Sequence, residues 1–220
     1  MNGMRLRIWS VIAVALVVTI SAAAMTATEA IKERQEAMEG VRNGLMALGA
    51  IAKGYAVDQA AKALQKNNIH HAFINAGGDL KTLGRRPDKT AWKIGLQHPR
   101  KPESILASFS LSGKAVATSG DYQKYFNHEG TRYHHILNPK TGYPVTGMTS
   151  ATVVTDTVMD ADALSTALFV MGAKKGMAFI DSLKNTKGLI VDQNQPPQLS
   201  QGMKDLADFS LESFKENLSH

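Results

Sequence analysis

The sequence predicts an α+β fold, a mixed or antiparallel sheet flanked by helices. Three observations lead there. Strand-like and helix-like stretches interleave, but several strand pairs have no helix between them, which disfavours a doubly wound parallel sheet. The stretches "WKIGLQHP" and "ILASFSLSG" alternate apolar and polar residues, the period of a strand with one buried face. The stretch "MDADALSTALFVMG" instead reads as a compact helix, with Asp160 as candidate N-cap and Gly172 as its terminal glycine. At 220 residues the chain is long enough for one well-buried domain with a small appendage.

The N-terminus has its own logic. Residues 1–10, "MNGMRLRIWS", carry two arginines; the apolar "VIAVALVVTI" follows, then "SAAAMTA" with small residues at Ala22 and Ala24. That layout is a secretory signal peptide over residues 1–27, with an uncleaved membrane anchor as the alternative. In either case the arginines stay inside and the rest is exported, to the periplasm or the outer face of the cytoplasmic membrane. Residues 28–46 read as a polar helical spacer weakened by Gly40 and Gly44. The domain proper is expected over 47–220.

Within it, "LGAIAKGYAVDQAAKALQKNN" becomes helical, with Tyr55, Val57, Ala60, Ala61 and Leu64 at helical spacing and Asn67–Asn68 as C-cap. The stretch "HAFINAGGDL" reads as a buried strand entering a Gly-Gly turn. Trp92, Ile94 and Leu96 face one side of the next strand, which Pro99 ends. Ile105, Ala107, Phe109 and Leu111 alternate in another, broken at Gly113 and Gly120. "TSATVVT" is strand-like, "KKGMAFIDSL" and "KGLIVD" add a helix and a strand, and 192–202 is a loose loop. "FSLESFKENL" closes the chain as a strand or short helix.

Composition removes several function classes. With no cysteine there is no disulfide, thiolate metal site or cysteine nucleophile. From Met25 onward 23 basic residues stand against 19 acidic ones, an excess of +4. That suits an anionic ligand, but no basic block resembles a nucleic-acid patch. Neither a Gly-x-Ser-x-Gly elbow nor a His-Glu-x-x-His helix is present, against the common hydrolases and metalloproteases.

What chemistry the residues do offer is concentrated in a few stretches. On a helix, Asp162, Ser165 and Thr166 share one face near the positive end of the helix dipole. A carboxylate with hydroxyls is a partial shell for a hard cation such as Mg²⁺; a capped, closely packed helix has the same pattern. "NAGGD" lets backbone amides approach a phosphate, or is a plain strand-to-strand turn. Lys53 beside Gly54 at a helix start suits an anion, as it suits solvent. "SGDYQKYF" ends a strand and supplies aromatics that core and edge packing explain. His134 and His135, in "RYHHILNPKTGYPV", face opposite sides if they lie on a strand, so at most one of them serves a given site, as a general base or as a structural histidine.

Taken in order, "LGAIAKGYAVD", "NAGGDL", "WKIGLQHPR", "ATSGDYQKYF", "RYHHILNPKTGYPV" and "ATVV…MDADALSTALFVMG" resemble the FAD:protein FMN transferase family, called ApbE. The resemblance implies an exported, Mg²⁺-dependent enzyme that splits FAD and attaches FMN through a phosphoester to Thr or Ser of a target flavoprotein. The target is typically a subunit of a redox-driven ion pump. Carried over by position, Asp162, Ser165 and Thr166 fall on the family's metal helix, with the Ala50 carbonyl. Ala47 and Lys53 line the FAD site, Leu137 makes a backbone contact there, and His135 is the base or hydroxyl positioner.

There are departures. Asn138 replaces the usual Asp of the "DPxTG" turn, and Ala47 stands where many members have an acid. Family members are about twice the matched length, so the expectation is an N-terminally truncated domain, covered by a homo-oligomer or a companion chain. Alternatives to the transferase are an FAD pyrophosphatase and a shortened, non-catalytic flavin-binding paralogue.

Overall fold

A computed structural model describes residues 51–211, all within the unit Gly49–His220. The expected signal or anchor, the spacer, Ala47 and Ala50 lie outside the described residues. Helix α1, Ala52–Lys66, is rich in alanine and long-chain helix formers. It ends at Asn67, and Asn68 follows at φ 61°, a left-handed conformation asparagine tolerates. The buried stripe is Gly54, Val57 and Ala61, not one that includes Tyr55 and Ala60: Tyr55 is 54% exposed. Small residues at i, i+3 and i+7 let a second helix approach closely, and that contact outweighs the larger Tyr55.

Strands β1 (Ala72–Ala76) and β2 (Asp79–Leu83) form a hairpin around Gly77 and Gly78, at φ 59° and 98°. Two consecutive positive φ values are what a tight two-residue hairpin demands, so "NAGGD" is a hairpin turn. β3 (Trp92–His98) and β4 (Lys101–Leu111) pair next, followed by β5 (Ala115–Gly120), β6 (Tyr125–His128), β7 (Thr131–His134) and β8 (Met148–Thr155). After α2 (Val158–Ser182) come β9 (Lys187–Asp192), β10 (Gln198–Leu199) and β11 (Ala207–Leu211). The sheets run β1-β2-β5-β8-β9-β10, β11-β4-β3 and β6-β7, and every described strand pairing is antiparallel.

Three layers result. The three-stranded sheet covers one face of the six-stranded sheet through Ile94, Phe109, Val116, Val154 and Leu189. Helix α2 covers the other through Ala151, Val153, Leu168, Phe169 and Ile180, and α1 joins it through Val57, Ala115 and Ala161. β8 lies between these layers, and all eight of its residues are buried. Neighbouring β5 shows the same division: Val116 faces one layer, Ala115 and Ala117 the other.

Several expectations need correction. β1 is not buried: it is an edge strand paired only with β2, and Phe73 is 42% exposed. Position in the sheet decided this, since an apolar run reads alike at an edge and in the centre. The alternation in β4 fails at Ile105, which is 53% exposed while Leu106 is buried, because a bulge shifts the pairing between Leu96↔Ala107 and Gln97↔Ile105. The 192–202 segment contains β10, and the closing stretch is strand as far as Leu211.

The two helices expected before and after Gly172 follow one another as α2, with Gly172 non-helical at φ 75° and ψ 172°. The N-cap is Thr157, not Asp160: Thr157 Oγ1 accepts from the Asp160 main-chain N–H at 3.1 Å. A side chain from α1 completes the start of α2. Asp58, midway along α1, accepts from the Val158 and Met159 N–H groups, each at 3.0 Å, so α1 is stitched to the N-terminus of α2.

Candidate active site

Where those helix starts meet, Gly54 N–H donates to Asp162 Oδ2 at 3.1 Å. A Cβ on Gly54 would lie 2.5 Å from the Val158 carbonyl oxygen, so only glycine permits this crossing. Asp79, the first residue of β2, is delivered to the same place by the hairpin turn. It is 1% exposed, and its Oδ1 lies 3.0 Å from Lys53 Nζ. Burial and then the Asp162 charge push the Asp79 carboxyl up from 3.8 to about 7, against the opposing pull of Lys53.

Hydroxyls line the α2 side. Ser165 Oγ donates to the Asp162 carbonyl at 3.0 Å, and Ser119 Oγ on β5 lies 2.9 Å from Ser165 Oγ and 3.1 Å from Thr166 Oγ1. With the Ser165 hydrogen committed to the carbonyl, Ser119 donates to Ser165 and Thr166 donates to Ser119. Thr166 Oγ1 then retains its lone pairs. Among the described residues no three His, Cys, Asp or Glu side chains converge, so any cation here relies on two carboxylates with hydroxyl or backbone oxygens.

The histidine pair divides, although β7 ends at His134 and His135 stands in the bend that follows. His134 is buried at the end of β7, edge-on to Phe169 at 5.5 Å. Its Nδ1 accepts from Ile136 N–H at 3.3 Å, so Nε2 carries the hydrogen given to the Val145 carbonyl at 2.8 Å. Both nitrogens are occupied. His135 faces the other way, its N–H and its Nδ1 both meeting the Lys124 carbonyl, at 3.2 and 3.3 Å. A carbonyl can only accept, so Nδ1 holds the hydrogen and Nε2 is left with a lone pair. Burial, followed by the nearby Lys124, His134 and Lys53 charges, holds the His135 imidazolium below its ordinary 6.5, although the Lys124 carbonyl works the other way. The Lys53 charge, which also meets Asp79, is the smallest of these influences.

The turn after the histidines is built by Asn138. Its Oδ1 accepts from Lys140 N–H at 2.9 Å, its carbonyl accepts from Gly142 N–H at 2.8 Å, and its own N–H donates to the Tyr143 carbonyl at 2.8 Å. This Asx turn sets Leu137 opposite Pro144 in an antiparallel bridge. Leu137, His135 and Lys124 border a cavity of about 460 Å³, with Tyr125, Phe126 and Tyr133 among its walls. The aromatics of "SGDYQKYF" therefore do not all pack inside: Phe126 is 63% exposed and stacks on Tyr133 at 5.2 Å between ring centres.

Residues 14–190 match the sequence profile of the ApbE family. The chain belongs to the ApbE family. It is similar to the FAD:protein FMN transferase of Klebsiella pneumoniae, 37% identical over 155 residues, which are 70% of this chain and 47% of that one. It is also similar to that of Vibrio cholerae, 35% identical over 174 residues, 76% of this chain and 49% of the relative. The chain thus spans about half the length of these ApbE relatives. Among solved structures, the Thermotoga maritima ApbE protein is 40% identical with a TM-score of 0.68, over 72% of this chain and 52% of that one. The Vibrio cholerae flavin transferase ApbE is 32% identical with a TM-score of 0.64, at the same coverage.

In this ApbE-family fold, Lys53, Asp162, Ser165 and Thr166 come together, and His135 and Leu137 border the cavity beside Lys124. Sequence reasoning missed Asp79 as a site residue, reading it only as part of a turn. It also missed Ser119, and it missed Asp121, whose carboxylate takes both Arg100 nitrogens at 2.7 and 2.6 Å. Arg132 approaches Asp121 at 3.6 Å and lies over the Tyr125 ring at 4.2 Å, tying the β6–β7 hairpin to the main sheet. A signal for both aspartates was present: each directly follows a glycine where a strand begins or ends. An acid at such a place needs a partner, and only the fold names it.

Proposed function

We propose that this chain is a Mg²⁺-dependent FAD:protein FMN transferase acting on an exported flavoprotein. The reaction would attach a Thr or Ser hydroxyl oxygen to the FMN phosphorus, break the pyrophosphate bond and release AMP. The observation that carries the reading is the position of Lys53. Its ammonium holds Asp79 in the two-carboxylate cluster, and its charge is felt by His135, whose Nε2 has a free lone pair. One side thus suits a cation and a pyrophosphate, the other a hydroxyl proton.

The residues fit a hard cation. Asp79 and Asp162 place two carboxylates together against one ammonium, which leaves negative charge to be balanced. Asp162, Ser165 and Thr166 would hold the ion; when bound, it would neutralise charge on the pyrophosphate. His135 would take the hydroxyl proton on Nε2 while Lys124 holds the ring through Nδ1. A position outside the cytoplasm is supported by the arginine-led apolar N-terminus, and the acceptor is a subunit of a redox-driven ion pump.

The test is incubation of the purified chain with FAD, Mg²⁺ and a threonine-bearing acceptor flavoprotein. A covalent FMN adduct by mass, with equimolar AMP, is the expected result. AMP without an adduct would favour FAD hydrolysis, and neither product would overturn the enzyme reading.

A further inference from the structure

Asp79 Oδ2 is the buried side-chain oxygen that lacks a hydrogen-bond partner among the described residues. Burying such a group without compensation costs about 1–3 kcal/mol, and more for a charged one. Its surroundings explain the lack. Oδ1 is taken by Lys53, and the Asp162 side chain lies within hydrogen-bonding reach. Asp162 in turn has its Oδ2 occupied by Gly54 N–H. Two carboxyl groups that meet in a protein interior need either a shared proton or a cation between them.

We infer that Asp79 is itself a ligand of the divalent cation, supplied through Oδ2 from the β1–β2 hairpin to complete the oxygen set that Asp162, Ser165 and Thr166 begin on α2. The inference rests on the cation reading above and adds a residue from a different part of the fold. The geometry suits the role. The Gly77–Gly78 turn fixes the start of β2, and the β2–β5 pairing at Leu80↔Val116 holds the strand in register. A ligand carried by a strand whose backbone is fixed in this way is preorganised.

The experiment measures Mn²⁺ binding to the purified chain by calorimetry and by the loss of free Mn²⁺ resonance signal, with no flavin present. The parent chain is expected to bind. Asp79→Asn, with folding checked by circular dichroism, is expected to bind at least about tenfold more weakly. Lys53→Met separates this role from a structural one. If Asp79 is a ligand, losing its ammonium partner leaves Mn²⁺ affinity unchanged or tighter; if Asp79 merely anchors Lys53, both variants weaken alike. Asp79→Asn binding within twofold of the parent, or equal weakening by Lys53→Met, would overturn the inference while leaving the cation reading intact. A parent chain that takes up no Mn²⁺ would sink both.

Discussion

Gly54 and Asp162, 108 residues apart in sequence, meet through one hydrogen bond of 3.1 Å from main-chain N–H to carboxylate. That bond joins the first turn of α1 to the first turns of α2. Substituting Gly54→Ala would place a methyl 2.5 Å from the Val158 carbonyl and 2.7 Å from Met159 Cα, where only backbone movement can relieve it. Overpacking of this kind costs about 1–3 kcal/mol. The expected outcome is a lower midpoint in chemical denaturation together with weakened Mg²⁺ dependence, because the carboxylate moves with the helix. A variant with unchanged stability and unchanged metal response would contradict the close crossing.

The two histidines should separate in mutagenesis. His135→Gln is expected to lower FMN transfer about 10²–10⁴-fold with little change in melting temperature, the range for losing a positioned base. His134→Gln should do the reverse, losing about 1–3 kcal/mol of stability from its two buried hydrogen bonds. Parallel measurement of single-turnover rates and thermal melts checks both.

With His135 as the proposed base, the acid limb of the transfer rate should follow its titration. Its conjugate acid is held below the ordinary 6.5, so the base form persists to lower pH than in a free imidazole. The pH profile of kcat/KM should therefore begin to fall only below 6.5. Lys53→Met removes one of the charges that depress it, so the limb should move upward in that variant. A limb that stays fixed would break the proposed link between the two halves of the site.

Asp79 makes the metal-free fold pH-sensitive. Its folded value of about 7 exceeds the ordinary 3.8, so between these values the folded chain binds more protons than the unfolded one. Its contribution to stability is present below 3.8 and is lost as pH rises through about 7. In chelator, the parent should lose stability across this window by more than Asp79→Asn does. Urea denaturation at several pH values reads the difference, and added Mg²⁺ should flatten the slope.

Asn138 tests the turn. Asn138→Asp keeps the oxygen that accepts from Lys140 N–H and should be tolerated in stability and activity. Asn138→Ala loses it, at about 1 kcal/mol, and should loosen the segment bearing His135 and Leu137. Equal behaviour of the two variants in melts and transfer rates would show that the Asx turn contributes nothing.

Local chemistry made much of this protein legible in its sequence. Glycines and asparagines announced the hairpin at Gly77–Gly78, the helix end at Asn67–Asn68 and the break at Gly172, because those backbone conformations are steep functions of residue type. The nearness of Asp162 to Ser165 and Thr166 followed from helical period. What the sequence left open depended on elements distant along the chain. An apolar run cannot state whether its strand lies at the edge, as β1 does, or between two layers, as β8 does. A bulge at Leu106 broke, at Ile105, an alternation that holds from Ala107 to Leu111. Asp79 was one acid after a turn until the fold set it against Lys53 and Asp162, because the energy of a buried carboxylate is decided by neighbours that only folding supplies.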